Sequence, residues 1–317
     1  MRIVFAGTPQ PAVPSLHAMA ESAHDLVGVV TRTDAPQGRK RVLTPSAVAA
    51  AATAYDVPVI KADRLDAEAT AAVDALRPDL GVIVAYGGLV REPLLSLPTH
   101  GWINLHFSLL PRWRGAAPVQ HALIAGDRTT GAAVFQLVPA LDAGDVFGDL
   151  RYDVPTDATA GDVLDALADR GSHLLREVVD AIGAGTAVAT PQAGEPTLAP
   201  KLTLADGRLD FSASATAVLD RYRGTTPEPG AHTLVGGVRL KVLAARRGPD
   251  DRSLAPGRIA LRDDLPTVGT ADGTVSLLSV QPAGKAAMRA ADWWRGLRVD
   301  ELATDATDVA ADGGSAS

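Results

Sequence analysis

GWINLHFSLLPRWRGAAP, residues 101 to 118, reads first as a short extended segment and then as a turn punctuated by proline and glycine. Over WINLHF, Trp102 to Phe107, alternate side chains of a β-strand point to one face. Asn104 and His106 therefore share a face, and Ile103 and Leu105 share the other. Such a strand buries its apolar side in a core and presents an amide and an imidazole together. Just upstream, GVIVAYG (Gly81 to Gly87) is a continuous β-branched run of the kind found inside a sheet covered on both faces. Downstream, AAVFQLV (Ala132 to Val138) reads as a further strand, followed by a loop from Ala140 to Asp145 that contains LDAGD.

Outward from this stretch the same rhythm persists. RIVFAG (Arg2 to Gly7), DLVGVVT (Asp25 to Thr31) and PVIKA (Pro58 to Ala62) are strands, alternating with helical segments around Leu16 and Met19, over Ser46 to Tyr55 and over Ala67 to Leu76. Strand and helix in alternation predict an α/β fold with a doubly wound, mostly parallel sheet. Asp162 to Ile182, with Leu164, Leu167, Leu174, Leu175, Val178 and Val179, is a closing amphipathic helix. Thr186 to Gly207 contains three prolines and little periodicity and reads as a connector. Beyond it, AHTLVG, VRLKVLAAR, GRIALR and TVSLLSVQ are short strands separated by Gly, Pro and Asp, a pattern that predicts a small β-barrel or sandwich. The expected division is residues 1–185, a linker over 186–207, a smaller domain over 208–305 and an acidic, disordered tail over 306–317.

Composition narrows the class. The chain has 317 residues, 46% of them hydrophobic, and no cysteine, which excludes disulfides, thiolate metal sites and a cysteine nucleophile. MRIVFAGTP enters a strand at once, before the apolar region of a signal peptide can form, and AVAAAATA (Ala47 to Ala54) is too short to span a bilayer. A cytoplasmic protein is expected. The net charge of −7 is uneven: residues 1–205 carry −6, Asp206 to Val299 carry +4, and Asp300 to Ser317 hold five acids and no base. A mildly basic domain is compatible with a polyanionic partner, and equally with an ordinary solvated surface.

In open α/β sheets, ligands sit beyond the carboxyl ends of the strands, where strand order reverses. Asn104 and His106 lie at such an end, and Asp142 follows the next strand. Taken singly, an Asn or His is more often a structural polar residue, and Asp in LDAGD a turn former. The combination with SLLPRWRGAAP is more specific. FAGTP, DAPQGRKRVLTPS (Asp34 to Ser46), VAYGGLV (Val84 to Val90), SLLPRWRGAAPVQ, TGAAVFQLVPALDAGD and LLSVQPAGKAAM (Leu277 to Met288) together resemble the folate-dependent formyltransferases over nearly the whole chain.

The resemblance implies a Rossmann-like catalytic domain followed by an OB-like barrel, and transfer of a formyl group from 10-formyltetrahydrofolate to an amine. It aligns Asn104, His106 and Asp142 with a catalytic trio, and Ser108, Leu109, Leu110 and Pro111 with a folate-binding turn. Tyr86, Gly87 and Gly88 match a segment that helps line the folate pocket. The basic loop from Arg32 to Pro45, with Arg39, Lys40 and Arg41, matches one that reaches the acceptor stem of initiator tRNA, where methionine carries the acceptor amine. Arg208, Arg221, Arg223, Arg239, Lys241, Arg246 and Arg247 are the terminal domain's candidates for the same partner. Chemically, Asn104 and His106 supply N–H donors for the oxyanion that forms when the amine attacks, each such donor contributing roughly 3 to 4 kcal/mol. Asp142 orients or charges His106, or holds a proton-shuttling water. No metal is required, and the protein is expected to act as a monomer. The sequence departs from the family at Pro11, where an aromatic is usual, at Phe107, where a Gly commonly follows the His, and at Lys40, where a Gly is expected. Two alternatives stay open: a formyltransferase acting on a small amine, which needs neither the basic loop nor the second domain, and a tRNA-binding module without catalysis.

Overall fold

The computed structural model describes residues 1–38 and 41–305. The chain divides into two compact units. The first comprises Met1–His121, Arg128–Pro155 and Asp162–Lys201, and the second Ala122–Asp127, Thr156–Gly161 and the chain from Leu202 onward.

In chain order the first elements are β1 (Arg2–Gly7), α1 (Val13–Ala20), β2 (Asp25–Thr31), β3 (Ala35–Gln37), β4 (Val42–Thr44), α2 (Ala47–Ala52), β5 (Val59–Lys61), α3 (Ala67–Ala75), β6 (Leu80–Val84) and β7 (Trp102–His106). There follow α4 (Pro118–Ile124), β8 (Thr129–Gln136), β9 (Val146–Asp153) and α5 (Ala160–Gly183). Seven strands form one sheet in the order β5-β2-β1-β6-β7-β8-β9. The five from β5 to β7 are parallel, and β8 and β9 are antiparallel to their neighbours. This is the Rossmann-like, doubly wound, mostly parallel sheet expected from the sequence. Consecutive residues Ile3 to Ala6 are inaccessible, as are Val82 and Val84, which requires cover on both faces of the sheet.

α2 starts at Ser46, whose hydroxyl accepts the Ala49 amide at 2.9 Å. It ends at Ala52, short of the expected Tyr55, because the Thr53, Ala54 and Tyr55 amides bond three residues back and tighten the last turn. α5 meets its prediction within two residues at each end and buries Val163, Leu167, Leu175 and Val179. At its middle a Cβ on Gly171 would lie 3.0 Å from the Leu105 side chain, so α5 covers the Ile103 and Leu105 side of β7.

Strand order reverses at β1, from which the chain runs outward to β2 and β5 and then returns to β6 and β7. The basic segment read as a loop is a hairpin: β3 pairs antiparallel with β4, and the Arg41 amide closes the turn on the Gly38 carbonyl at 3.1 Å. Arg41 is exposed in the left-handed region, at φ 50°. Arg39 and Lys40 lie outside the described residues, as does the stretch 306–317.

The second unit contains α6 (Ala215–Gly224), β10 (His232–Val235), β11 (Val238–Arg247), β12 (Arg258–Arg262), β13 (Leu265–Gly269), β14 (Thr274–Pro282), β15 (Met288–Arg289), α7 (Ala290–Leu297) and β16 (Glu301–Ala303). Its sheet runs β10-β11-β14-β13-β12-β16, all antiparallel, with β15 added to β14. Two register shifts in β11, on either side of Ala244, bend and curl the sheet around Leu240, Val242, Val268, Leu277 and Trp293. The OB-like barrel is thus a curled sheet whose outer strands, β10 and β16, do not pair. A hydrogen bond from the Asp305 amide to the Leu234 carbonyl, 2.9 Å, crosses that seam. The Asp305 carboxylate also accepts the Gly236 and Gly237 amides of the β10–β11 turn at 2.9 and 2.7 Å.

Candidate functional site

β7 is anchored at its base by Trp102, fully buried, whose indole N–H donates to the Leu94 carbonyl at 2.8 Å. Its partner in the register is Gly81, where a Cβ would lie 2.1 Å from the indole, so only glycine admits the ring. Two and four residues on, the same face carries Asn104, half-buried, and His106, 6% exposed. The His106 ring stands edge-on to Phe135 of β8, centroids 6.3 Å apart. Its Nε2 lies 2.9 Å from the Trp113 carbonyl. A carbonyl only accepts, so Nε2 carries the hydrogen and Nδ1 carries the lone pair. Nδ1 faces Asp142 Oδ2 at 3.9 Å. Among the described residues the Asn104 carboxamide has no hydrogen-bond partner.

Asp142 reaches this point by an indirect route. β8 is antiparallel to β7, with Ala133 opposite His106 and Gln136 opposite Ile103, so β8 ends at the far end of β7 from His106. Residues 137–145 must return over about 10 Å of strand, at roughly 3.3 Å per residue, for Asp142 to approach the imidazole. Both feet of the loop stand at one place: the Leu137 amide bonds the Trp102 carbonyl, and the Gln136 amide bonds the Asp145 carbonyl. Gly144 is obligatory there, since a Cβ would lie 1.7 Å from the Gln136 carbonyl oxygen. Asp142 sits at the tip at φ 44°, a left-handed conformation that Asp tolerates better than most side chains. Its Oδ2 accepts the Gly115 amide at 2.7 Å, tying LDAGD to the SLLPRWRG turn.

Burial holds the His106 imidazole below its ordinary value of 6.5, against the opposing pull of the Asp142 charge and the Trp113 carbonyl. The ring is therefore neutral at pH 7 and available as a base. In an NMR titration of the protein without substrate, the His106 imidazole is expected to change charge only as pH drops through a value below 6.5. A midpoint above 6.5 would mean that burial does not set its charge. The linkage to folding has a definite sign. Above 6.5 both folded and unfolded imidazoles are neutral and contribute nothing. Below it, only the unfolded state takes up the proton, so stability falls with pH until the folded value is reached.

The sequence-predicted folate turn lies immediately beyond β7. Ser108 is fully buried, and its hydroxyl donates to the Arg112 carbonyl at 2.6 Å, so it closes the turn and does not face outward. Leu109 and Pro111 line an open pocket of about 550 Å³ together with Arg112 and residues 193–197, and Leu110 is half-buried. At the end of β6, Ala85 and Gly87 are both left-handed, φ 47° and 83°, and bend the chain sharply. The Thr8 hydroxyl donates to the Tyr86 carbonyl at 2.8 Å, joining the ends of β1 and β6. Tyr86 contributes only backbone to this bend. Its ring is buried among Val4, Val30 and Leu94, and its hydroxyl, pushed up by burial, donates to the Ala62 carbonyl at 2.6 Å. That ring is the reason for Gly88, where a Cβ would lie 2.6 Å from Tyr86 Cε1.

Sequence reasoning missed residues 190–199. Thr190 pairs with Val146 in both directions, at 2.8 and 2.9 Å. Further on, the Thr197 hydroxyl accepts the Trp113 amide at 2.9 Å, and Arg114 exchanges backbone bonds with Thr197 and Ala199 at 2.8 and 2.7 Å. This strap holds the turn that holds His106. Its sequence, with scattered prolines and no alternation, carries no signal that would have announced it. The structure also removes one candidate for polyanion contact: Arg223 is 5% exposed and paired with Asp220 inside the second unit. Arg221 donates to the Asp206 carbonyl and Arg208 to that of Asp305, while Arg246 and Arg247 are exposed on β11. Among the described residues there is no cluster of three metal-ligating side chains, and no helix is long and apolar enough to cross a membrane.

The sequence and the fold are similar to those of known proteins. The formyl transferase family model matches residues 1–179, and that of the formyl transferase C-terminal domain matches residues 201–298. A methionyl-tRNA formyltransferase of Clavibacter sepedonicus is 60% identical over 95% of this chain and 99% of its own. Among solved structures, a methionyl-tRNA formyltransferase from Clostridium thermocellum superposes with a TM-score of 0.56 at 16% identity, over 78% of this chain and 94% of its own. HypX from Aquifex aeolicus, solved in complex with tetrahydrofolic acid, gives a TM-score of 0.63 at 19% identity, over 92% of this chain and 46% of its own.

Proposed function

This chain belongs to the formyl transferase family, and from that premise we propose that it transfers the formyl group of 10-formyltetrahydrofolate to the α-amino group of methionine on initiator methionyl-tRNA. The product is formylmethionyl-tRNA, the species that starts translation. The observation that carries the reaction type is the meeting of three groups at the end of β7: the unengaged Asn104 carboxamide, the buried neutral imidazole of His106, and the Asp142 carboxylate. The acceptor is supported by the 60% identity to a methionyl-tRNA formyltransferase over nearly the whole of both chains.

The folate supplies a planar formyl group on nitrogen, and the residues present fit it. In this reading the Ser108 to Pro111 turn, where Leu109 and Pro111 line an open pocket, receives the flat pterin, with Tyr86 to Gly88 contributing backbone. An α-amino group has a reference pKa of about 7.7 to 8.0, so an acceptor for its proton is needed at neutral pH. His106 Nδ1 fills that role, because Nε2 is fixed as a donor by the Trp113 carbonyl. Asp142 then stabilises the imidazolium across the 3.9 Å gap until the proton passes to the folate nitrogen, which departs as tetrahydrofolate when its bond to the formyl carbon breaks. Asn104 donates to the formyl oxygen as charge develops on it, a contribution of roughly 3 to 4 kcal/mol for a preorganised donor. Division of labour thus differs from two equivalent N–H donors: Asn104 serves the oxygen and His106 serves the proton.

In this reading residues 1–185 form the catalytic domain, residues 186–207 the linker and residues 208–305 the tRNA-binding domain. Arg39, Lys40 and Arg41 are the first unit's candidates for the acceptor-stem phosphates, and the second unit offers Arg246 and Arg247, exposed on β11, to the same partner. The protein acts in the cytoplasm as a monomer. The test is transfer of labelled formyl from 10-formyltetrahydrofolate to initiator methionyl-tRNA, with elongator methionyl-tRNA and free small amines as controls. Label on the initiator species alone is the expected result. Label confined to a small amine would remove the tRNA assignment.

A further inference from the structure

The Gln192 carboxamide occupies a position where all its hydrogen-bonding groups are engaged by the two loops of the candidate site. Its Nε2 donates to the backbone carbonyls of Asp142 and Gly144, each at 2.8 Å. Its Oε1 accepts from both Nη2 and Nε of Arg114, at 2.6 and 3.2 Å. The orientation of the amide is fixed by its partners, because carbonyls only accept and a guanidinium only donates. Gln192 is itself held from both sides, at Thr190 by its paired bonds with Val146 and at Thr197 by its bond with Arg114. One side chain therefore joins the tip of the 137–145 loop to the turn that follows His106.

Asp142 needs such a restraint. It is left-handed, sits at the tip of a loop whose feet are both at Gln136, and is separated from His106 Nδ1 by 3.9 Å, a distance that a small rotation of the tip would change. Its side chain is fixed to Gly115 at 2.7 Å, and its backbone is fixed by Gln192. We infer that Gln192 is a positioning residue for formyl transfer, which sets Asp142 against His106 by clamping the Asp142 and Gly144 carbonyls to Arg114. This rests on the catalytic roles given above to His106 and Asp142. Gln192 touches neither of the reacting groups, and its effect passes through Asp142 alone.

Gln192→Ala is expected to lower kcat by about tenfold to a hundredfold, the scale of a misplaced catalytic group, and to leave KM for either substrate within about twofold. Because the effect passes through Asp142, the loss is expected to vanish in an Asp142→Asn background. Gln192→Glu keeps the acceptor for Arg114 but loses both donors to the loop; it is expected to show the same loss of kcat, and it carries the test where Gln192→Ala does not fold. A readout without substrate is amide hydrogen exchange of the full chain. The Gly115 amide, bonded to Asp142, is expected to exchange at least about tenfold faster in the variant, as loss of about 1.4 kcal/mol of local protection gives, with Leu137 unchanged. Additive losses in the double variant, an unchanged Gly115 rate, or equal acceleration at Leu137 would each overturn the assignment. Failure of the unaltered protein to formylate would overturn the underlying reaction instead, and the Gly115 exchange still judges the clamp.

Discussion

His106→Ala is expected to lower kcat for formylation by about three orders of magnitude, within the range of 10² to 10⁴ typical of a positioned acid or base. In the proposed reaction the imidazole is the base; burial keeps it neutral, and its Nδ1 faces the Asp142 carboxylate. Removing it also leaves the Trp113 carbonyl without its donor, at a cost of about 1 to 3 kcal/mol if the group stays buried. His106→Gln separates the two effects, since its amide nitrogen takes the place of the imidazole Nε2 and can restore the bond to Trp113 but cannot take up the proton. Both variants are expected to fail in single-turnover transfer, with melting temperature better preserved in His106→Gln. Full turnover by either one would dismiss His106 as the base.

Trp102→Ala is expected to destabilise the first unit by about 3 to 5 kcal/mol, the usual range for emptying a buried aromatic site. The ring is inaccessible, fits into the space left by Gly81, and bonds the Leu94 carbonyl. Its loss leaves a cavity lined by side chains that cannot collapse onto a glycine. With two units in the chain, unfolding need not be a single transition. Urea denaturation followed by circular dichroism is expected to show early loss of part of the signal, with the midpoint moved to lower urea. An unchanged midpoint would mean that the space is refilled and that β7 does not depend on this anchor.

Much of this was legible in the sequence, for identifiable reasons. The parallel strands are written as consecutive β-branched residues, and α5 as apolar residues at helical spacing. Asn104 and His106 were placed on one face by strand periodicity alone, and the face opposite was correctly left to Ile103 and Leu105. Asp142 was legible as a residue of the next loop, but its route was not. A strand's direction is not encoded in its alternation, so the reversal of β8 and the return of residues 137–145 over β7 do not follow from the pattern. Tyr86 was read as a pocket residue because it neighbours Gly87 and Gly88, whereas the bend at Ala85 turns its ring into the core. Arg223 counted as a surface cation because charge is usually solvated, and a buried Asp220 three residues earlier on α6 is a pairing that composition does not reveal. The strap fell silent for a different reason: many of its bonds are backbone bonds, which leave no trace in side-chain pattern, and the others come from isolated Thr and Gln side chains with no periodicity.

The two halves of the site differ in how they can change. Asn104 and His106 belong to the sheet, and a slip of one residue in β7 would turn both beneath α5 and present Ile103 and Leu105 to the crevice. Asp142 belongs to an excursion that leaves and rejoins the sheet at Gln136. Apart from Gly144, residues can be exchanged, added or lost between those feet without disturbing the pairing of β8 with β9. Inheritance of this fold therefore transmits the amide and the imidazole as a rigid unit, and the carboxylate as an exchangeable part.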